Sequence, residues 1–148
     1  MAVDFRDGKT FPRRGRQPLG DFLWLARMFD KARAKAGHTQ DGYIYPCPMD
    51  RAMLRRWGIR PSEFTAAAEE YQNDSQILSW LAERVDADRR EAANAWLLGQ
   101  RYRLDRQDAD EGVAGAVAPF PWRDIMFGIA IVAVSWIIAW LMLRPHHL

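Results

Sequence analysis

The sequence predicts an all-α protein, a small domain of about five short helices followed by one C-terminal transmembrane helix. Three observations carry this reading. Apolar residues recur at the helical period, between clear stops, from Asp21 to Tyr102. No pair of runs with the alternating pattern of strands occurs anywhere. The stretch from Ile125 to Leu143 reads IMFGIAIVAVSWIIAWLML, without a single charge.

The helices follow from their caps. Asp21 is placed to N-cap a first helix carrying Phe22, Leu25, Ala26, Phe29 and Ala32, and Gly37 ends it after the cationic turn of Lys31, Arg33 and Lys35. HTQDGYIYPCP follows as a loop, since Pro46 and Pro48 exclude a central strand. Pro48 starts a second helix through Met49, Met53, Leu54 and Trp57, with Gly58 as its stop. Ser62 caps a third with Phe64, Ala67, Ala68 and Tyr71, and Asp74 a fourth with Ile77, Leu78, Leu81 and Val85. Asp86 or Asp88 opens a fifth with Ala92, Ala95, Trp96 and Tyr102. The chain then divides into a basic arm (1–18), a helical domain (19–103), a flexible linker (104–121), a transmembrane helix (122–144) and a short tail (145–148). The linker is assigned because DRQDADEG is acidic and VAGAVAPFP is small and proline-containing.

At 1.5 Å per residue the uncharged run spans about 28 Å, the thickness of a bilayer's hydrocarbon core. Trp122, Arg123 and Asp124 precede it, and Arg144, His146 and His147 follow it, which are interfacial residue types. The N-terminal MAVDFRDGKTFPRRGRQPLG has no apolar core and so is not a secretory signal. With Arg101, Arg103, Arg106 and Arg123 before the span, the expected placement is a bacterial inner membrane, single-pass and tail-anchored, with the helical domain cytoplasmic and the C-terminus periplasmic. Gly128, Val132, Trp136 and Trp140 recur at i+4 and form a candidate helix-packing face. An indole as deep as Trp136 packs better on protein or ligand than on lipid tails. The span holds no ionisable residue, which excludes a proton or ion path.

Composition narrows the classes further. A net charge of +2 argues against nucleic acid as a partner. A single cysteine, Cys47, excludes an internal disulfide framework and a Cys-based zinc cluster, and fits a reducing compartment.

The segments LARMFDKARAKAG (25–37), GYIYPCPMDRAMLRRWGI (42–59) and NDSQILSWLAERV (73–85) resemble a bacterial family known only as domain of unknown function 5069. Arg27, Asp30, Lys31, Arg33, Tyr43, Tyr45, Cys47, Asp50 and Trp80 fall on its motifs, a resemblance extending over residues 25–103. It implies a helical domain and carries no established activity. Members of the family look soluble, so the arm, linker and span read as additions.

Candidate chemistry is sparse. Cys47 with His38 is the one nucleophile–base pair of the helical domain, and Cys47 between two prolines reads more simply as a packed turn. Arg27, Asp30, Lys31 and Arg33 are expected to form a solvated face in which Asp30 pairs with Arg27 or Arg33 within the helix. Asp50 is expected to serve only the helix dipole. Arg6, Lys9, Arg13, Arg14 and Arg16, interleaved with Phe5, Phe11 and Pro12, form a candidate docking arm, disordered when free and attracted to anionic headgroups or an acidic protein surface. No catalytic residue, metal ligand or cofactor site of its own is expected, and His146 and His147 are read as a tail rather than as ligands.

The functional expectation is a non-catalytic accessory subunit that assembles or stabilises a large inner-membrane complex. Its partners are other subunits and the lipid bilayer, with peripheral contact to lipid or (bacterio)chlorophyll supplied by those subunits. A photosynthetic reaction-centre–light-harvesting complex is the first expectation by analogy, and a respiratory complex the second. The alternatives are a membrane-tethered enzyme or redox sensor using Cys47, and a free adaptor that recruits a soluble partner.

Overall fold

The computed structural model describes residues 3–113 together with Val132, Val134 and Trp136. The chain divides into two units, residues 1–117 and 118–148. The first contains six helices: α1 (Leu25–Ala36), α2 (Pro48–Trp57), α3 (Pro61–Glu70), α4 (Asp74–Ala82), α5 (Ala87–Leu98) and α6 (Arg101–Asp110). Among the described residues there is no strand, only one isolated bridge between Leu19 and Phe22. Helix α2 lies on α5 and α1 on α3. Between them Leu25, Met28, Phe29, Met53, Leu54, Trp57, Phe64, Ile77, Leu81 and Leu97 form a continuous buried core. Each such side chain contributes about 1.5–3 kcal/mol by leaving water. Phe22 meets Trp57 edge to face at 5.7 Å, the geometry that an aromatic quadrupole favours.

Where caps are local, element ends fall as the sequence predicts. Pro48 is the first residue of α2, and Gly58 ends it in the left-handed region (φ 73°), with the Ile59 N–H returning to the Leu54 carbonyl at 2.9 Å. Asp86 caps α5 by accepting from the Arg89 N–H at 2.8 Å. Two caps shift by a residue or two. Asn73, not Asp74, caps α4 through the Gln76 N–H at 3.0 Å, and α3 begins at Pro61, with the Glu63 carboxylate accepting the Arg60 N–H at 2.9 Å in place of a Ser62 cap.

Two larger differences concern α1 and α6. Asp21 does not cap α1. A tight turn closed by reciprocal Leu19–Phe22 backbone bonds, with Gly20 in the left-handed region (φ 55°), carries Asp21 away from the helix. The helix starts instead after Trp24, itself left-handed at φ 68°. Asn94 on α5 holds this turn, accepting from the Leu23 N–H at 3.1 Å and donating to the Asp21 carbonyl at 2.7 Å.

The expected linker from residue 104 is helical as far as Asp110. Its sequence is almost wholly polar, so no apolar stripe announces it; Leu104 and Asp108 are its buried residues. Gly112 terminates it (φ 65°), its N–H bonding the Ala109 carbonyl and that of Val113 the Asp108 carbonyl. The arm 1–18, expected to be free, packs on the domain. Phe5 is buried against Tyr43 at 5.0 Å, the Phe5 N–H bonds the Thr39 carbonyl at 2.9 Å, and the Trp24 N–H bonds the Gly15 carbonyl at 2.9 Å.

Of the second unit, Val132, Val134 and Trp136 are helical and exposed, Trp136 at 74%. Among the described residues no helix is long and apolar enough to cross a membrane. The expected span from Ile125 to Leu143 lies otherwise outside them, as do Gly128 and Trp140 of its proposed packing face and the histidines of the tail.

Candidate functional site: a buried charge network

Three charge knots converge on α1, and Arg27, Asp30 and Lys31, three of the four residues expected to line a solvated face, lie at their centres. In the first, Lys31 of α1 meets Asp50 of α2, which is fully buried. Asp50 is the third residue of α2, and it accepts the Cys47 N–H at 2.8 Å, as the cap spacing of Cys47 and Asp50 dictates. Its oxygens also accept from Lys31 Nζ, at 2.8 Å each, and from Trp24 Nε1 at 2.8 Å. Lys31 directs its remaining donor at Cys47 Sγ, 3.3 Å away, and lies 5.4 Å from the centre of the Trp24 ring. The Lys31 ammonium, not His38, is thus the side chain bonded to the thiol. His38 is exposed in a left-handed turn (φ 55°).

In the second knot Arg27, only 1% exposed, grips Glu111 just beyond α6 with both terminal nitrogens, the Nη1–Oε2 bond being 2.9 Å. Nη1 also donates to the Pro12 and Arg13 carbonyls, each at 3.2 Å. The guanidinium sits 5.6 Å from the Trp24 ring and 5.8 Å from that of Tyr43, whose hydroxyl donates to Glu111 at 3.1 Å.

In the third, Arg13 of the arm holds Asp30 through its backbone N–H at 2.9 Å and its side chain at 2.8–2.9 Å, and reaches Asp74 at the start of α4. Burial opposes the Arg13 charge, but the bonds from Asp30 and Asp74 outweigh it and hold the guanidinium's pKa above its ordinary value. Alongside, Arg14 pairs with Asp108 at 2.8 Å, and Arg16 with Asp105 and Asp108.

The expected solvated face is therefore overturned. Asp30 pairs with Arg13, 17 positions away, and Arg27 with Glu111, 84 positions away. Burial decides this. Ion pairs along one exposed helix are weak, whereas a buried charge must find a partner wherever the fold supplies one. Asp50 likewise does more than match a dipole. Of the remaining motif residues, Tyr45 is buried with its hydroxyl 3.2 Å from that of Thr65, Arg33 lies over the Phe29 ring at 5.3 Å, and Trp80 meets Phe64 edge to face. Of the docking-arm residues, Arg13, Arg14 and Arg16 are engaged by the domain's own carboxylates, Arg6 pairs with Asp4, and Lys9 is exposed. Trp24, Asp108 and Glu111 escape sequence reasoning, since nothing local to them marks a partner.

Residues 9–121 match the model of a family described as a domain of unknown function, DUF5069. The chain belongs to the DUF5069 family. The matched region is wider than the motif-bearing residues 25–103. It takes in Arg13, Arg14 and Arg16 of the arm as well as α6 and Glu111, so all three knots lie inside the DUF5069 domain. No curated protein matches the chain. Among the described residues no group of three or more histidine, cysteine or acidic side chains is arranged to hold a metal. A cleft of about 540 Å³ between α3 and α4, lined by Ile59, Glu63, Ala67, Glu70, Trp80 and Arg84, shares Trp80 with the motifs and none of the knot residues.

The network has a titratable signature. Burial, reinforced by the Glu111 charge, pushes the Tyr43 hydroxyl up to about 12, and burial pushes Tyr45 up to about 12 as well, both from an ordinary 10. The fold holds these protons more tightly than the unfolded chain does. Their contribution to stability is complete below the unfolded value and is lost as pH climbs through the folded one. Stability is accordingly expected to fall between pH 10 and 12. In a tyrosinate absorbance titration, Tyr43→Phe and Tyr45→Phe should each remove one late-titrating group.

Proposed function

We propose that this DUF5069 chain is a non-catalytic accessory subunit of a bacterial inner-membrane complex, held in the bilayer by the run from Ile125 to Leu143. The observation that carries the reading is this run, uncharged for its whole length, within which Val132, Val134 and Trp136 are helical and exposed. A helical tryptophan, 74% exposed amid aliphatic residues, needs an apolar surface, which a bilayer or a neighbouring transmembrane helix supplies. The motif charges support a binding role rather than catalysis. Lys31, Asp50, Arg27 and Asp30 spend their hydrogen bonds on one another's helices, the arm and Glu111, which fixes the shape that a partner meets.

The test is mild detergent extraction of the native membrane, followed by sizing and identification of what travels with the chain. Co-migration with a large assembly, weakened by Trp136→Ala, is the expected outcome, a photosynthetic reaction-centre complex being the first expected and a respiratory complex the second. Migration alone would contradict the reading and favour a free adaptor. A tethered sensor built on Cys47 draws on the 3.3 Å contact with Lys31. It requires instead that Cys47→Ser abolish an oxidation response while assembly persists.

A further inference from the structure

We infer that the DUF5069 domain rests on the lipid headgroup layer through the face that carries Phe11 and Ile44, an inference that builds on the membrane tether proposed above. Both side chains are exposed, Phe11 at 44% and Ile44 at 69%, although each adjoins a residue tied into the core network. Pro12, next to Phe11, gives its carbonyl to Arg27 at 3.2 Å. Tyr43, next to Ile44, donates to Glu111 at 3.1 Å, and Glu111 is gripped by the same guanidinium. The two apolar side chains thus project from segments anchored on one buried Arg27–Glu111 pair. Val113, two residues past Glu111, is twelve positions before the uncharged run in the sequence.

Connectivity favours lipid as the occupant. Eleven residues lie between Val113 and Ile125, and their twelve Cα–Cα steps cap the separation at about 40 Å when fully extended. With the run held in a bilayer, that length is the most by which Val113 can lie from the start of the span. Charge agrees: Lys9, Arg6 and Arg14 lie within five positions of Phe11 and remain exposed, Arg6 sharing its charge with Asp4 and Arg14 with Asp108. An exposed aromatic among cationic side chains suits an anionic headgroup layer, where the ring enters the acyl boundary and the cations meet phosphate. Leu98, 47% exposed at the end of α5, provides the internal contrast. It precedes the start of α6, a helix about 15 Å long whose far end reaches Glu111.

The test places the photoreactive residue p-benzoylphenylalanine at Phe11, Ile44 or Leu98 of the full chain. Each variant is reconstituted in phosphatidylcholine–phosphatidylglycerol vesicles, irradiated and weighed by mass spectrometry. Lipid adducts at positions 11 and 44 severalfold above those at 98 are expected. If the chain floats with the vesicles and the three positions react alike, or 11 and 44 do not react, the docking face is overturned while the tether stands. A chain that does not float with vesicles overturns the tether and the docking face together.

Discussion

Asp50→Ala should destabilise the helical domain by roughly 3–5 kcal/mol, the cost of breaking a buried ion pair by removing one partner. The size follows from what the carboxylate holds. With Asp50 truncated, the buried Lys31 ammonium keeps only the Cys47 sulfur at 3.3 Å, a weak acceptor, and the Trp24 indole and the Cys47 N–H both lose their acceptor. The substitution also removes the acidic residue from the first turn of α2, which costs a further fraction of a kcal/mol. Since α1, α2 and Trp24 all border the common core, the loss should be global. Thermal unfolding followed by near-ultraviolet circular dichroism would show one lowered transition rather than a new early one.

Arg27→Ala should cost a similar roughly 3–5 kcal/mol, but locally. Helix α6 buries little apolar surface, Leu104 being its one buried apolar residue, and the domain holds it through Arg14, Arg16 and Arg27. Removing Arg27 leaves Glu111 nearly buried with Tyr43 alone, and frees the Pro12 and Arg13 carbonyls that tie the arm to α1. Native-state hydrogen exchange should then show lost protection over residues 101–113 and the arm, with α2 and α5 unchanged. Added salt should enlarge the effect, because Arg14 is half exposed in its pair with Asp108 and is screened more readily than the buried Arg27 pair. Loss of protection spread evenly over all six helices would contradict this division of labour.

The fold is legible wherever structure is decided within a few residues. Pro48 and Gly58 bracket α2, and Asp86 opens α5, because caps act through N–H and C=O groups one turn away. Helix α6 is not legible, since its polar sequence is held by arginines about 90 residues earlier in the chain. The same distance hides the site. The motif residues Arg27, Asp30, Lys31 and Asp50 stand out in the sequence, but Arg27 and Asp30 find their partners in Glu111 and Arg13, which come to them from either end. One partnership was within reach. The three-residue spacing of Cys47 and Asp50 at a proline-started helix is a capping-box pattern, and it places the carboxylate at the helix start, where Lys31 finds it. The left-handed Trp24 and the displaced Asp21 have no such local signal, because Asn94, 71 residues on, stabilises that turn.

The motif charges Arg27, Asp30, Lys31 and Asp50 staple the fold through their ion pairs. A double-mutant cycle on Lys31 and Asp50 in the full chain, with unfolding free energies for Lys31→Met, Asp50→Ala and the pair, tests this role most directly. The expected result is two strongly destabilised single variants and a coupling of roughly 1–3 kcal/mol, the double variant being less damaged than the singles sum to. Single variants as stable as the parent chain, with no coupling, would contradict a stapling role for these charges.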